Sequence, residues 1–316
     1  SLAGLFRRRG EFDRAIKIHN VLVNREDLPK KIRSRALYEL GEDYLKAGLW
    51  DRAEESFLKL SDTSESYKTI ARKELLHIYE TEKEWQKAID EANIIQRQSG
   101  EDQSTRIAQL YCELTNQNLY FKNFKGAAEA LEKALKVDPN NKRALIIKGK
   151  MLKAKGDIDG ALATWKQVGQ ISPAYETLVV EQIASLLLEA GRKEEAVRYL
   201  EDLFKDGSTA DEVDTAGILL GKAGSSKEAI ALIQEHLKTQ PTLVAFYRLI
   251  DLRLADEPNN ESLKQLHGLL KNLLSKAVRY KCTKCGFATR KFLWRCPGCH
   301  QWESFPPVRQ ENLSSK

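Results

Sequence analysis

Apolar positions along this chain recur at helical spacing, and each helical stretch carries a variant of one short phrase. It reads "GEFDRAIKI" at 10–18, "GLWDRAEESF" at 48–57, "EWQKAIDEA" at 84–92 and "NFKGAAEAL" at 123–131. It returns as "GDIDGALATW" at 156–165, "GRKEEAVRYL" at 191–200 and "GSSKEAIALI" at 224–233. Aligning the phrases puts Ala15, Ala53, Ala88, Ala127, Ala161, Ala196 and Ala229 in register, at spacings of 38, 35, 39, 34, 35 and 33 residues. Four residues after most of these alanines stands a larger apolar side chain: Phe57, Leu131, Trp165, Leu200 or Ile233. Twelve residues before, the position is often small: Ala3, Gly41, Gly149, Ala184 or Gly217. Gly10, Gly48, Gly156, Gly191 and Gly224 stand between the two, where a helix C-terminus needs a left-handed residue. The pattern predicts two helices joined by a tight turn in each unit, crossing where both side chains are small.

A repeat of about 34 residues built this way is a tetratricopeptide array. Tyr44 and Tyr79 fill core positions in first helices, and Pro139, Pro173 and Pro241 mark helix ends. After Pro241 one further pair is expected, its last helix carrying Leu263, Leu266, Leu270 and Leu274 on a single face. The fold class is therefore all-α: a superhelix of about eight helical pairs over residues 1–276, the first lacking most of its first helix. Such solenoids present a concave face lined by first helices, where peptides or partner domains bind. The chain has no GxGxxG, Walker A, HExxH or GxSxG arrangement, so no catalytic residues are assigned.

Four of the five cysteines fall in one stretch, Cys282-x2-Cys285-x10-Cys296-x2-Cys299. Two CxxC knuckles bring four thiolates into a tetrahedron, a closed shell that suits one zinc or iron ion. Gly286, Gly298 and Pro297 are expected to supply the backbone angles and rigidity of the knuckles, and Phe287, Phe292, Trp294, Trp302 and Phe305 to shield the metal. A module of this size needs that metal to fold. It is taken as a small β module at 277–308, with a disordered tail at 309–316. Because the last helix runs almost directly into Tyr280, the module is expected to dock on the last helices.

Four roles remain open for this cluster. A structural clip needs nothing more than the four sulfurs. An iron site for electron transfer uses the same ligands, although no flavin or nicotinamide motif accompanies it. "CPGCH" also fits the c-type haem pattern through Cys296, Cys299 and His300. Lys281, Lys284, Arg290, Lys291 and Arg295 among aromatics would suit nucleic acid. Cys112, in "LYCELT", reads as a small buried hydrophobe.

Charge and hydropathy refine this picture modestly. The net charge is +6, and residues 276–316 hold nine Lys or Arg against two acids, leaving 42 against 43 elsewhere. The excess belongs to the cysteine module, where thiolates around a divalent metal offset part of it. Closely spaced CxxC pairs with one isolated cysteine point to a reducing compartment. No run of about 18 apolar residues is present. The chain opens at Ser1 and its sole methionine is Met151, so we expect a fragment or processed form.

The array followed by "YKCTKCGF…WRCPGCHQW" resembles the lipopolysaccharide assembly protein B family, as do "GLFRRRGEFDRAIKIH", "LGEDYLKAGLWDRAEESF" and "EWQKAID". The tail is similar to rubredoxin, with a shorter segment between its knuckles. The resemblance covers the whole chain and implies a non-enzymatic adaptor on the cytoplasmic side of the inner membrane, held by an N-terminal transmembrane helix that this sequence lacks. Its implied partners are a membrane-anchored AAA protease, the deacetylase of the lipid A pathway and an inner-membrane lipopolysaccharide sensor. It also implies that Cys282, Cys285, Cys296 and Cys299 are metal ligands. No nucleic-acid partner is implied.

Overall fold

A computed structural model describes residues 2–204 and 209–307 of the chain. The tail at 309–316 lies outside the described residues. The chain divides into two compact units, Ser1–Pro139 and Asn140–Lys316.

The first unit is four helical pairs: α1 (Leu2–Arg8) with α2 (Phe12–Asn24), α3 (Lys30–Lys46) with α4 (Trp50–Thr63), α5 (Lys68–Glu82) with α6 (Trp85–Ser99), and α7 (Ser104–Tyr120) with α8 (Phe124–Val137). Ala15, Ala53, Ala88 and Ala127 are all fully buried. Gly41 shows why its position stays small, since a Cβ there would lie 2.6 Å from the Phe57 ring. Gly10 and Gly48 take positive φ angles of 79° and 75°, as the turn requires. In the next two pairs no glycine is available, and Lys83 and Lys122 adopt the left-handed conformation instead, at φ 61° and 58°.

The seven-residue helix α1 is fixed by charge as well as by packing. Arg7 donates to Glu39 at 2.6 Å and to Asp43 at 3.0 Å, both on α3. The other oxygen of the fully buried Asp43 meets Nδ1 of His19 on α2 at 2.5 Å. Cys112 is fully buried in α7, as its sequence context predicts.

The second unit continues with α9 (Lys142–Ala154) and α10 (Ile158–Ile171), α12 (Val180–Glu189) and α13 (Lys193–Asp202), α14 (Ala210–Lys222) and α15 (Ser226–Thr239), and α16 (Leu243–Asp256) and α17 (Glu261–Lys276). A four-residue helix, α11 (Pro173–Glu176), stands between α10 and α12 and was not apparent in the repeat pattern. Gly149 is the counterpart of Gly41: a Cβ there would fall 2.2 Å from Nε1 of Trp165, which donates to the Ile146 carbonyl. Val180, Ala184, Leu200, Val213, Ala216 and Ile233 belong to one buried cluster.

At α17 the leucine face is only partly covered. Leu270 is buried and Leu263 and Leu274 are half-buried, but Leu266 faces solvent with Leu269 and Leu273. A last helix packs on one neighbour only, so it buries a narrower stripe than an internal one. After α17 come two short strands, β1 (Tyr280–Lys281) and β2 (Ala288–Thr289), paired antiparallel with Tyr280 opposite Thr289. Among the described residues, no helix is long and apolar enough to cross a membrane.

Candidate metal centre

The two CxxC stretches fold into knuckles with matching hydrogen bonds. In the first, the Cys282 amide donates to the Phe287 carbonyl at 2.8 Å and the Gly286 amide to the Cys282 carbonyl at 3.0 Å. In the second, the Cys296 amide donates to Gln301 at 2.9 Å and the His300 amide to Cys296 at 2.9 Å. Further amides point at sulfur, from Lys284 to Cys282 Sγ at 3.4 Å and from Gly298 to Cys296 Sγ at 3.3 Å.

This correspondence places Gly286 and His300 at the same position, four residues after the first cysteine of each knuckle. Both are left-handed, at φ 77° and 59°. Histidine is among the side chains that tolerate this region. His300 is thus the turn residue of the second knuckle, which accounts for "CPGCH" without a haem. Of the two glycines expected to help shape the knuckles, Gly298 is not left-handed. A Cβ there would meet Cys285 Sγ and Phe287 at 3.4 Å, so it sits in ordinary contact beside the sulfurs.

The four sulfurs all lie within 4.8 Å of one another, with Cys282 to Cys299 at 3.7 Å and Cys285 to Cys296 at 3.5 Å. Sulfurs at about 2.3 Å from a tetrahedral zinc are about 3.8 Å apart, whereas a disulfide is about 2.05 Å long. The set therefore fits one metal ion and not two disulfides.

Its electrostatics lead to the same conclusion. Burial raises the Cys282 thiol, but hydrogen bonding by the Ser304 side chain and by the amides of Cys285 and Lys284 brings it down to about 6. The Gln301 amide favours the Cys299 thiolate, yet burial and the surrounding sulfurs push that thiol up to about 12. Four thiols this close cannot all ionise unless a cation joins them.

The aromatics divide between two tasks. Phe305, fully buried, packs with Cys282 and Cys296 and shields the sulfurs, whereas Phe287 is 42% exposed. Trp294 and Phe292 instead meet Tyr175 of α11, stacked at 5.7 Å and edge-on at 6.5 Å between ring centroids. The Arg143 guanidinium, on α9, lies 5.7 Å from the Trp294 ring and 5.9 Å from that of Trp302. Lys142 pairs with Glu303 at 2.8 Å, and the Tyr280 hydroxyl donates to Asp211 at 3.4 Å. Burial, reinforced by the nearby Glu303 carboxylate, pushes the Tyr175 phenol up to about 12.

These contacts correct the expected docking on the last helices, because the aromatic face rests on α9 and α11. Tyr175, Arg143, Lys142, Asp211 and Ser304 were not singled out in the sequence. One signal was present: Lys142 and Arg143 occupy the first turn of α9, where a cation opposes the helix dipole and needs another partner. The same contacts take up the surfaces a nucleic acid would use, since Trp294 is stacked and Trp302 is covered by Arg143 and Arg295.

Comparison with known proteins supplies the context for this geometry. Residues 280–307 match the rubredoxin metal binding domain, and residues 93–259 match a tetratricopeptide repeat-like domain. Lipopolysaccharide assembly protein B of Escherichia coli K12 is 33% identical over 98% of this chain and 80% of its own length. This chain belongs to the lipopolysaccharide assembly protein B family. A second member of the family, from Haemophilus influenzae, is 30% identical over 98% of the chain and 79% of its own length. A solved fragment of a tetratricopeptide protein from Cytophaga hutchinsonii covers 84% of the chain and 97% of its own at 13% identity and a TM-score of 0.39, too loose a likeness to carry an argument.

Proposed function

We propose that this chain is a non-enzymatic adaptor in lipopolysaccharide assembly, and that Cys282, Cys285, Cys296 and Cys299 hold one structural zinc or iron ion. The proposal divides it into a helical scaffold at 1–276 and a metal-bound module at 277–308. When bound, the ion neutralises the four thiolates and fixes the knuckles. The observation that carries the metal reading is the set of four sulfurs within 4.8 Å of one another, two pairs of them at 3.5 and 3.7 Å, behind an aromatic face that rests on Tyr175. The module then works as a clip, holding Phe292 and Trp294 against α11 and giving the helical scaffold a defined surface for partners.

The partner assignment draws on family membership. On this reading the protein works on the cytoplasmic side of the inner membrane, joining a membrane-anchored AAA protease to the deacetylase of the lipid A pathway under an inner-membrane lipopolysaccharide sensor. Affinity purification from cells of tagged wild type and of Cys282→Ser/Cys296→Ser tests this. Recovery of protease and deacetylase with wild type, and their loss with the variant, is the expected result. Recovery of neither protein with wild type overturns the adaptor assignment, and equal recovery with both overturns the role of the clip.

A further inference from the structure

The turn between α7 and α8 breaks the pattern of the first unit. Three residues before each register alanine stands an aromatic: Phe12, Trp50, Trp85 and Phe124. The first three are half-buried, but Phe124 is 65% exposed. Beside it Tyr120 is 82% and Phe121 70% exposed, their rings edge-on at 5.2 Å. Three strongly exposed aromatics within five residues are an unusual outlay for a folded domain facing only water.

The turn that carries them is tightly built. The Asn123 amide donates to the Asn118 carbonyl at 2.8 Å, and the Asn123 side chain caps α8 by accepting from the Gly126 amide at 3.1 Å. Asn123 Nδ2 donates to Asn118 Oδ1 at 2.8 Å, and Asn118 in turn donates to the Leu114 carbonyl at 2.9 Å. Lys122 takes a left-handed φ of 58° to complete the turn. The rings are therefore presented on a braced tip and not on a loose loop.

Charge at the tip has one sign. Lys122 and Lys125 are exposed, and neither is paired with a carboxylate among the described residues. Between Glu113 and Glu129 there is no acidic residue. A helix-hairpin tip bearing Tyr and Phe rings with interleaved lysines matches the chemistry of a bilayer interface. There, rings sit at headgroup level and lysines reach phosphate. Charge of a single sign beside exposed rings favours an anionic lipid surface over a protein partner.

We propose that the α7–α8 tip, through Tyr120, Phe121 and Phe124 with Lys122 and Lys125, rests on an anionic membrane surface. The test is co-sedimentation of the chain with vesicles of equal parts phosphatidylglycerol and phosphatidylcholine, and with phosphatidylcholine alone. The expected result is binding to the anionic vesicles that weakens with salt. Tyr120→Ser/Phe121→Ser/Phe124→Ser is expected to lower it by about ten-fold or more, and Lys122→Glu/Lys125→Glu to lower it as well. Circular dichroism is expected to show both variants folded, because all five side chains are exposed. The proposal is overturned if wild type does not sediment with anionic vesicles, or if the aromatic variant sediments as well as wild type. Tip-dependent self-association in light scattering without vesicle binding would assign the surface to a protein contact instead.

Discussion

Trp294 of the metal module stacks on Tyr175 of α11 with ring centroids 5.7 Å apart and planes 25° from parallel. This pair joins a segment of a few dozen residues to a helix more than a hundred residues earlier in the chain. Tyr175 is nearly buried, and its hydroxyl has no hydrogen-bond partner among the described residues. Tyr175→Ala is therefore expected to cost about 3 kcal/mol in urea unfolding and to expose the linker at 277–279 to proteases. Tyr175→Phe is expected to stay within about 0.5 kcal/mol of wild type.

Two glycine-to-alanine changes are expected to act in opposite directions. At Gly149 the new methyl would lie 2.2 Å from the Trp165 indole, which is fully packed, so Gly149→Ala is expected to destabilise by about 3 kcal/mol. Gly268, inside α17, has no atom within 4 Å of a built Cβ. Gly268→Ala is expected to stabilise by about 0.5–1 kcal/mol through helix propensity alone. Urea midpoints of the two variants check both signs.

The equivalence of Gly286 and His300 yields a third prediction. Gly286→Ala forces a Cβ into the left-handed region and is expected to cost about 1 kcal/mol, with lower metal retention under chelator competition. His300→Gly is expected to retain metal, since glycine keeps the left-handed backbone angle of the knuckle. Loss of metal from His300→Gly would give the imidazole a role that the knuckle geometry does not require.

Glu74 supplies a pH dependence. Burial, together with repulsion from Glu42, raises its carboxyl from 4.5 to about 7, with Lys46 offsetting part of the effect. Between about pH 4.5 and 7 the folded state thus holds a proton that the unfolded state has released. The corresponding stability is fully present below about pH 4.5 and is lost as pH rises through about 7. Glu74→Gln is expected to be more stable than wild type by about 1–2 kcal/mol at pH 8, allowing for solvent screening, and equal to it at pH 4. Thermal unfolding at the two pH values measures the difference.

Much of the fold was legible because a repeat states each constraint several times. Seven register alanines and five left-handed glycines left few other ways to pair the helices. Lys83 and Lys122 escaped notice because a turn held by its neighbours tolerates a left-handed lysine, and composition does not reveal that. The four cysteines were readable from spacing alone. Their docking on α9 and α11 was not, since it rests on single residues, Tyr175 and Arg143, that recur in no pattern. How far the leucine stripe on α17 is covered was not legible, because periodicity shows which face is apolar but not whether a neighbour covers all of it.

The docked module depends on one metal ion held by Cys282, Cys285, Cys296 and Cys299. Elemental analysis of purified wild type and Cys282→Ser/Cys296→Ser tests it most directly. One zinc or iron ion per wild-type chain and none in the variant is the expected result. A wild-type protein that folds without metal, or a variant that retains a full equivalent, would contradict it.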